Sequence, residues 1–187
     1  MFAKNNLFLV ICLTLMISCA NEKNMQIGDI IDAAINNPSR SAENIEKDRF
    51  RKPADILKFS EVLPGMNILD MVSNGGYYAE MLASIVGNKG NVLAHTFTRN
   101  KSNPDFSYDD YVNESEHMNN VSMMYADFDE ISLNENTLDR VFIVQNYHDL
   151  YFDRPGYGVD DVQPVLAMIR KGSKPGGLMI IIDHDAE

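Results

Sequence analysis

The tripeptide Tyr147-His148-Asp149 carries the side chains best suited to proton transfer in this sequence. The His148 imidazole can accept a proton near neutral pH, and an adjacent carboxylate such as that of Asp149 can orient it. The tripeptide follows the apolar run Arg140–Asn146, so a strand would present it at its carboxyl end. The alternative is that His148 and Asp149 only fix a loop through hydrogen bonds.

A second stretch, Asn74-Gly75-Gly76, is suited to hold a ligand through the backbone. Gly75 and Gly76 have no Cβ, so the backbone can approach a ligand closely there, and Asn74 is the non-glycine residue best able to adopt a positive φ. The stretch follows the apolar run Asn67–Val72, which contains Asp70, and precedes a helical pattern. The alternative is a purely structural turn between a strand and a helix.

The elements that must position these groups alternate between short apolar runs and amphipathic patterns. Such alternation predicts an α/β fold with a doubly wound, mostly parallel five-stranded sheet, in which ligands bind at the carboxyl ends of the strands. A nicotinamide-binding Rossmann domain would give the same coarse pattern. The predicted strands are Asn67–Val72, Asn91–Phe97, Val121–Ala126, Arg140–Asn146 and Leu178–Asp183. The predicted helices run from a Ser41 cap to Phe50, from Pro53 with Ile56, Leu57 and Phe59 buried, and over Tyr77–Val86, Tyr108–Met118 and Asp161–Lys171.

The stretch from Pro64 to Tyr78 resembles the first motif of class I S-adenosylmethionine-dependent methyltransferases. The resemblance implies a Rossmann-like methyltransferase fold with S-adenosylmethionine as cofactor and a small-molecule acceptor. It places Asp70 near the methionine part of the cofactor and Asp127 with Phe128 at the adenine. The cofactor-binding residues that it implies are Asp70, Asn74, Gly75, Gly76, Tyr77, Asp127, Phe128 and Asn146.

Further segments resemble one subgroup of predicted methyltransferases that are often exported. Arg51–Phe59 (RKPADILKF) and Tyr147-His148-Asp149 match that subgroup, and Lys174-Pro175-Gly176-Gly177 resembles a turn common across class I enzymes. The transferring methyl group of these enzymes lies near the end of the fourth strand. The resemblance therefore implies that His148, Asp149 and Tyr147 are the catalytic residues.

The sequence departs from the family pattern in its second predicted strand and in its first motif. Class I enzymes usually end the second strand with an acid that binds both ribose hydroxyls, whereas this strand ends in His95-Thr96, which cannot accept two hydrogen bonds as a carboxylate does. The strict first motif has glycine at the positions of Val72 and Asn74. An alternative for Asp127 is that it caps a helix or a turn. An alternative for the whole chain is a non-catalytic lipoprotein that retains the fold.

Composition restricts the partners and the metal chemistry. The formal net charge of −11 gives no attraction toward phosphate backbones, so nucleic acid is not an expected partner. The two cysteines, Cys12 and Cys19, both lie near the N-terminus, in or next to a segment that we expect to be an export signal. The rest of the chain therefore has no thiol that could bind a metal. His184 lies between Asp183 and Asp185, but neighbours on an extended strand point to opposite faces, and we expect no metal site.

The N-terminal residues are typical of an export signal. Lys4 precedes the apolar run Leu7–Ile17, which is too short to span a bilayer as a helix, and Ser18-Cys19 then resembles the bacterial lipobox. We expect a signal peptide over residues 1–18, lipid attachment at Cys19 and anchoring in the cell envelope. Residues 19–39 are expected to form a tether with a short helix, and residues 40–187 a methyltransferase-like domain.

The last predicted strand is followed by only a few residues, whereas the resembled fold continues with a helix and two more strands. The resemblance therefore implies a domain that lacks the last two strands and has an unpaired apolar edge. Such an edge favours self-association through residues 178–183. The alternative is that the segment from Met25 to Asn36 covers it.

We predict that Cys19 carries a diacylglyceryl group and is the first residue of the mature protein, because Ser18-Cys19 follows the apolar run Leu7–Ile17. Mass spectrometry of the membrane-extracted protein should find the modified Cys19 as the N-terminal residue. Cys19→Ala should lose the lipid mass and leave the membrane fraction, with Cys12→Ala as the control. A Cys19→Ala protein that remains membrane-bound at unchanged mass would contradict the prediction.

Overall fold

The computed structural model describes residues 26–103, 108–152 and 158–184 of the 187-residue chain. The predicted signal peptide over residues 1–18, Cys19 and the first part of the tether lie outside the described residues. The short helix expected in the tether is present over residues 26–35. Within the described ranges, no helix is long and apolar enough to cross a membrane.

Five parallel strands form one sheet in the order β3-β2-β1-β4-β5. This arrangement confirms the predicted doubly wound α/β fold. The strand order reverses between β1 and β4, and sheets of this kind bind ligands at the carboxyl ends of the strands beside such a reversal. The strands are β1 (Asn67–Met71), β2 (Asn91–Thr96), β3 (Val121–Tyr125), β4 (Leu138–Val144) and β5 (Ser173–Ile182).

Six helices surround the sheet in the described part of the chain. Ser41 caps the second of them by accepting a hydrogen bond from the Asn44 N–H (3.2 Å), and Pro53 opens the third, as predicted. The helices are α1 (residues 26–35), α2 (Ala42–Arg51), α3 (Pro53–Ser60), α4 (Tyr77–Val86), α5 (Asp109–Glu114) and α6 (Gln163–Gly172).

Alternation along the strands divides the core into two layers, because successive side chains of a strand point to opposite faces. Ile68 and Phe142 belong to the layer that α1, α3, α4 and α5 cover. Leu69 and Val141 belong to the layer that α6 and the connection between β3 and β4 cover. The predicted burial of Phe59 was wrong: this side chain is 66% exposed, because the buried stripe of α3 consists of Pro53, Leu57 and Ser60.

The start of β5 is irregular, because the predicted turn at residues 174–177 stays beside β4. Ser173 pairs with Leu138, and regular pairing then resumes between Leu178 and Arg140. More residues lie between Ser173 and Leu178 than between their partners Leu138 and Arg140, so β5 bulges there, and Gly176 in this bulge has a φ of +81°.

The outer edge of β5 has no partner among the described residues, and Leu178 and Ile181 are 43% and 42% exposed. In α1, Ile31 and Ala34 pack into the helix-covered layer that includes Ile180 of β5. The self-association expected through residues 178–183 would cover the exposed side chains and stays a prediction.

A buried arginine joins α1, α2 and α4. The Arg40 guanidinium donates two hydrogen bonds to the Asp48 carboxylate (2.8 and 2.9 Å), one to the Ile35 carbonyl oxygen (2.7 Å) and one to Glu80 (3.4 Å). The side chains of Arg40 and Glu80 are completely buried. The Tyr77 hydroxyl also donates to Asp48 (2.8 Å), so this network fixes the first turn of α4.

We predict that Arg40→Met lowers the free energy of unfolding by about 3–5 kcal/mol, because it leaves the buried Glu80 carboxylate without its charge partner. The matched control is Arg49→Met, which removes an exposed ion pair with Glu46 and should cost less than about 1 kcal/mol. Urea unfolding of both variants measures the difference. Equal losses in the two variants would show that the network does not support the fold.

Candidate functional site

The chain between β1 and α4 adopts an unusual sequence of backbone conformations. Asn74, Gly75 and Gly76 all have positive φ (+30°, +75° and +74°), which confirms the expected conformation of Asn74. Val72 also has a positive φ of +56°, which a β-branched residue rarely adopts. The tight turn therefore begins directly at the end of β1.

His95 holds this turn to the neighbouring strands. Its Nδ1 accepts a hydrogen bond from the Val72 N–H (3.2 Å), and its Nε2–H donates to the Ala126 carbonyl oxygen (2.9 Å). The Ser73 N–H donates to the His95 carbonyl oxygen (2.7 Å). His95 is completely buried, and this desolvation lowers the pKa of its imidazole to about 4. The neutral ring thus links the carboxyl ends of β1, β2 and β3.

The Thr96 hydroxyl at the end of β2 is hydrogen-bonded to other residues of the chain. Thr96 Oγ1 donates a hydrogen bond to Asn74 Oδ1 (3.1 Å) and accepts one from Asn100 Nδ2 (3.1 Å). Thr96 is completely buried. These bonds join the turn to the end of β2 at the place where the resembled enzymes have an acid.

Asp70 stands at the start of a buried chain of hydroxyl groups. The Ser73 hydroxyl donates to Asp70 Oδ2 (2.6 Å), and the Tyr108 hydroxyl donates to Ser73 Oγ (2.7 Å). Burial raises the pKa of Asp70 to about 6, although the Ser73 hydroxyl, the Arg51 charge and the Ala79 N–H all act to lower it. The carboxyl group of Asp70 therefore gains or loses its proton at a pH of about 6.

Gly76 makes room for a neighbouring side chain. A Cβ on Gly76 would lie 2.9 Å from the Tyr108 ring, so the missing side chain lets this tyrosine pack against the turn. A Cβ on Gly75 would meet no heavy atom within 4 Å. The Cβ position is therefore open at Gly75 and filled by Tyr108 at Gly76, and the close approach of a ligand expected at both glycines stays a prediction.

A cavity of about 280 Å³ opens between the carboxyl ends of β1 and β4, where the strand order reverses. Five of the predicted site residues line it: Asp70, Asn74, Tyr77, Asn146 and His148. The remaining lining residues are Arg51, Met71, Val72, Ser73, Tyr78, Val144, Gln145 and His184. The structure thus brings five of the predicted residues together at one cavity, and their roles there stay predictions.

His148 is oriented by a carboxylate that is distant in sequence. Its Nδ1 lies 2.9 Å from Asp183 Oδ1, and its backbone N–H donates to Asp183 Oδ2 (3.0 Å). The predicted partner, Asp149, has Oδ1 3.5 Å from His148 Nε2. Asp183 is therefore the orienting residue, which corrects the assignment to Asp149. The reason is that β5 pairs with β4 and ends beside His148.

The pKa values of the two carboxyl groups beside His148 are shifted in opposite directions. Desolvation raises the pKa of Asp149, and the charge of Asp183 adds to this, against the effect of His148. Desolvation acts to raise the pKa of Asp183 too, but hydrogen bonds from His184 and His148 outweigh it and lower this pKa.

Three predicted residues lie away from the cavity. The Tyr147 hydroxyl is 3.2 Å from that of Tyr151, and Tyr147 lines a separate cavity between α6 and β5. The Phe128 ring packs in the core against Phe97, with ring centroids 4.9 Å apart. Asp127 follows β3, and its Oδ1 is buried without a hydrogen-bond partner among the described residues.

Arg51, Ser73, Tyr108 and Asp183 were not assigned a role from the sequence. Arg51 belongs to the segment that carried the family resemblance, which is the one signal that could have identified it. The other three reach the site by packing or by strand pairing, and no local pattern marks them. In the portions that the structure covers, no group of three His, Cys, Asp or Glu residues is arranged to hold a metal ion.

The structure resembles solved S-adenosylmethionine-dependent methyltransferases. One from Aquifex aeolicus superposes with a TM-score of 0.60 at 24% identity, over 83% of this chain and 72% of that one. One from Mesorhizobium loti gives 0.53 at 14% identity, over 70% and 51%. CrArsM, an arsenic(III) S-adenosylmethionine methyltransferase from Chlamydomonas reinhardtii, gives 0.53 at 19% identity, over 80% and 47%.

The chain spans about half the length of the last two structures. At these identities the likeness establishes a shared fold. No protein-family model matches the chain, and no curated protein sequence does so.

We predict that His95 makes the fold lose stability in acid. An unfolded histidine has a pKa of about 6.5, so the unfolded state binds more protons than the folded state from there down to pH about 4. The contribution of the neutral ring is therefore complete above the unfolded pKa. It is lost as the pH falls toward the folded pKa, and amounts to roughly 3 kcal/mol in all.

The test compares the wild type with His95→Gln, whose amide can accept and donate in the same places without titrating. The raised pKa of Asp70 changes the free energy of unfolding in the opposite direction over a similar pH range. Because both proteins contain Asp70, subtracting their free energies of unfolding at each pH removes its contribution. Urea unfolding should show the wild type losing stability relative to His95→Gln on acidification. A difference that stays constant with pH would contradict the prediction.

Proposed function

We propose that the chain is an S-adenosylmethionine-dependent methyltransferase acting on a small-molecule acceptor in the cavity between β1 and β4. The observation that carries this proposal is the position of buried Asp70 beneath that cavity, where the strand order reverses. The fold is one that S-adenosylmethionine-dependent methyltransferases share. The resemblance of the first motif supports the same reading.

Residues of the site can bind two of the three parts of S-adenosylmethionine, namely the methionine part and the adenine. The Asp70 carboxylate can accept hydrogen bonds from the ammonium group of the methionine part. Asp127 Oδ1, which has no partner among the described residues, can accept one from the adenine amino group. At the ribose the fit is poorer, because Thr96 and Asn74 bond to one another and β2 does not end in a carboxylate. We therefore expect moderate affinity.

Among the described residues that line the cavity, His148 is the one that we assign to proton transfer. S-adenosylmethionine, when bound, supplies a methyl group that its sulfonium already activates toward a nucleophile. With Nδ1 directed at Asp183, His148 presents Nε2 as the atom that takes the proton from the acceptor. The walls of the cavity hold the acceptor in line, and such positioning provides much of the rate in reactions of this kind.

A second candidate function is a non-catalytic protein that retains the fold. The observation in its favour is the closed hydrogen-bonded link from Thr96 to Asn74 and Asn100, which occupies the polar groups that would meet a ribose. A binding measurement separates the two functions, since the second one predicts no nucleoside binding.

We also propose that the protein works in the cell envelope, held by lipid on Cys19. The support is the sequence alone: an apolar run that ends at Ser18-Cys19. A small-molecule acceptor would then be met outside the cytoplasm.

We predict that calorimetric titration of the wild type detects S-adenosylmethionine and its demethylated product, S-adenosylhomocysteine, but not NAD. Asp127→Asn should weaken both by about tenfold, because the orphaned acceptor loses its charge. His148→Ala should leave both affinities within about threefold and should lower transfer of a labelled methyl group to small-molecule extracts by about 100-fold, because a base acts mainly in the transition state.

Glu130→Gln is the matched control, since this exposed acid lies next to Asp127 in the same loop. Absence of any nucleoside binding by the wild type would favour the non-catalytic protein. Equal losses of binding and transfer in His148→Ala would assign His148 to ligand contact alone.

A further inference from the structure

The end of β4 departs from strand geometry at Gln145. This residue has a φ of +62°, which residues with a side chain rarely adopt, and its N–H donates to the Ile182 carbonyl oxygen of β5 (2.6 Å). Successive side chains of a strand point to opposite faces, yet Val144, Gln145 and Asn146 all line the cavity. The left-handed residue, held by β5, therefore brings adjacent side chains to one site, and strain that is held in this way is typical of functional positions.

The side-chain amide of Asn146 has one end fixed. Its Nδ2 donates to the Val144 carbonyl oxygen (2.7 Å), and only the NH2 end of an amide can make such a bond. Its Oδ1 is left as a hydrogen-bond acceptor that has no partner among the described residues, in a residue that lines the cavity. A ligand that meets this oxygen therefore has to supply a hydrogen-bond donor.

His148 presents a second acceptor to the same cavity. Its Nδ1–H donates to Asp183 (2.9 Å), so Nε2 carries the free lone pair. Two carboxylates flank the ring, because Asp149 Oδ1 lies 3.5 Å from Nε2. Arg51 also lines the cavity, and its positive charge acts on Asp70 at the end of β1. The end of β4 thus combines two acceptors with nearby negative charge.

An amino group matches this pair of acceptors better than a hydroxyl or a carboxylate does. An ammonium group has several N–H donors, so His148 Nε2 can take one proton while another stays bonded to Asn146 Oδ1. A hydroxyl has one proton, and giving it to His148 leaves Asn146 Oδ1 unsatisfied, which a site built for donors penalises strongly. A carboxylate brings no donor and meets Asp149 and Asp183 as like charges.

We propose that the methyl acceptor is a primary or secondary amine, bound through Asn146 Oδ1 and His148 Nε2 at the carboxyl end of β4. This assignment rests on the proposed function, because it names the acceptor of that reaction. The ammonium proton passes to His148 Nε2, and Asp183 and Asp149 stabilise the imidazolium. The nitrogen lone pair then forms the new N–C bond, while the S–C bond of the sulfonium breaks and its electron pair stays on sulfur. The product is an N-methylammonium ion.

The test compares ligands of equal size: benzylamine with benzyl alcohol, and propylamine with 1-propanol. Calorimetry of the intact protein, with and without S-adenosylhomocysteine, should show each amine binding about tenfold more tightly than its alcohol. Asn146→Ala should reduce this preference to less than about threefold, since one donor of the ammonium loses its partner. Asn146→Asp, which keeps an acceptor oxygen, should retain the preference. A contact of Asn146 with the cofactor alone, as the family resemblance implies, would leave the ratio of amine to alcohol unchanged.

Two controls separate the donor requirement from charge and from general effects of mutation. Benzyltrimethylammonium carries the charge without an N–H, so the wild type and Asn146→Ala should bind it equally. Asn134→Ala changes an exposed asparagine in the loop that precedes β4, away from the cavity, and should keep the full preference for amines. Equal affinities for amine and alcohol in the wild type would overturn the proposal. A full preference in Asn146→Ala, or no binding of either amine, would overturn it too.

The transfer assay on small-molecule extracts separates this proposal from the proposed function. With a deuterated methyl group on S-adenosylmethionine, mass spectrometry should find the label on nitrogen. Label on oxygen or sulfur would leave the methyltransferase standing and overturn the amine acceptor. If amines bind with a preference that depends on Asn146, but neither S-adenosylmethionine nor S-adenosylhomocysteine binds, the amine site stands and the methyltransferase does not.

Discussion

The hydrogen bond from the Val72 N–H to His95 Nδ1 is the interaction on which the candidate site depends. It holds a β-branched residue at positive φ, a conformation that costs on the order of 1–3 kcal/mol. Because Val72 turns there, Ser73 reaches back to Asp70, and the chain continues into the Gly-rich turn. A neutral imidazole suits this place because it accepts at one nitrogen and donates at the other, and burial keeps it neutral by lowering its pKa.

The acidic composition makes the distribution of its few cations informative. The chain carries 27 acidic and 16 basic residues, so most arginines could find a carboxylate. Arg40 is buried against Asp48 and Glu80, and it joins the N-terminal helices to α4. Arg51 packs against the Tyr77 ring, has no carboxylate partner among the described residues and lines the cavity. The helices before β1 therefore contribute in two places, since one arginine stabilises their packing while another lines the cavity.

The surroundings of His148 show how a parallel sheet assembles groups from distant parts of the chain. β4 and β5 are neighbours, so their carboxyl ends meet, and Asp183 comes to lie beside a histidine 35 residues earlier. Asp149 follows His148 directly but lies farther from its ring, because the short helical turn His148–Tyr151 directs successive side chains in different directions. Tyr147 is turned toward α6 for the same reason.

The sequence by itself determined the strands, the order of strands and helices, and the parallel doubly wound sheet at whose carboxyl edge, after β1 and β4, the site was expected. These features depend on local periodicity and on turn residues, which hydrophobic burial and backbone sterics translate directly into structure. The tertiary structure alone decided which partners meet. It paired His148 with Asp183, placed Tyr108 over Gly76, and brought Arg51 to the cavity, because strand pairing and helix packing join residues whose separation in the chain carries no periodic signal.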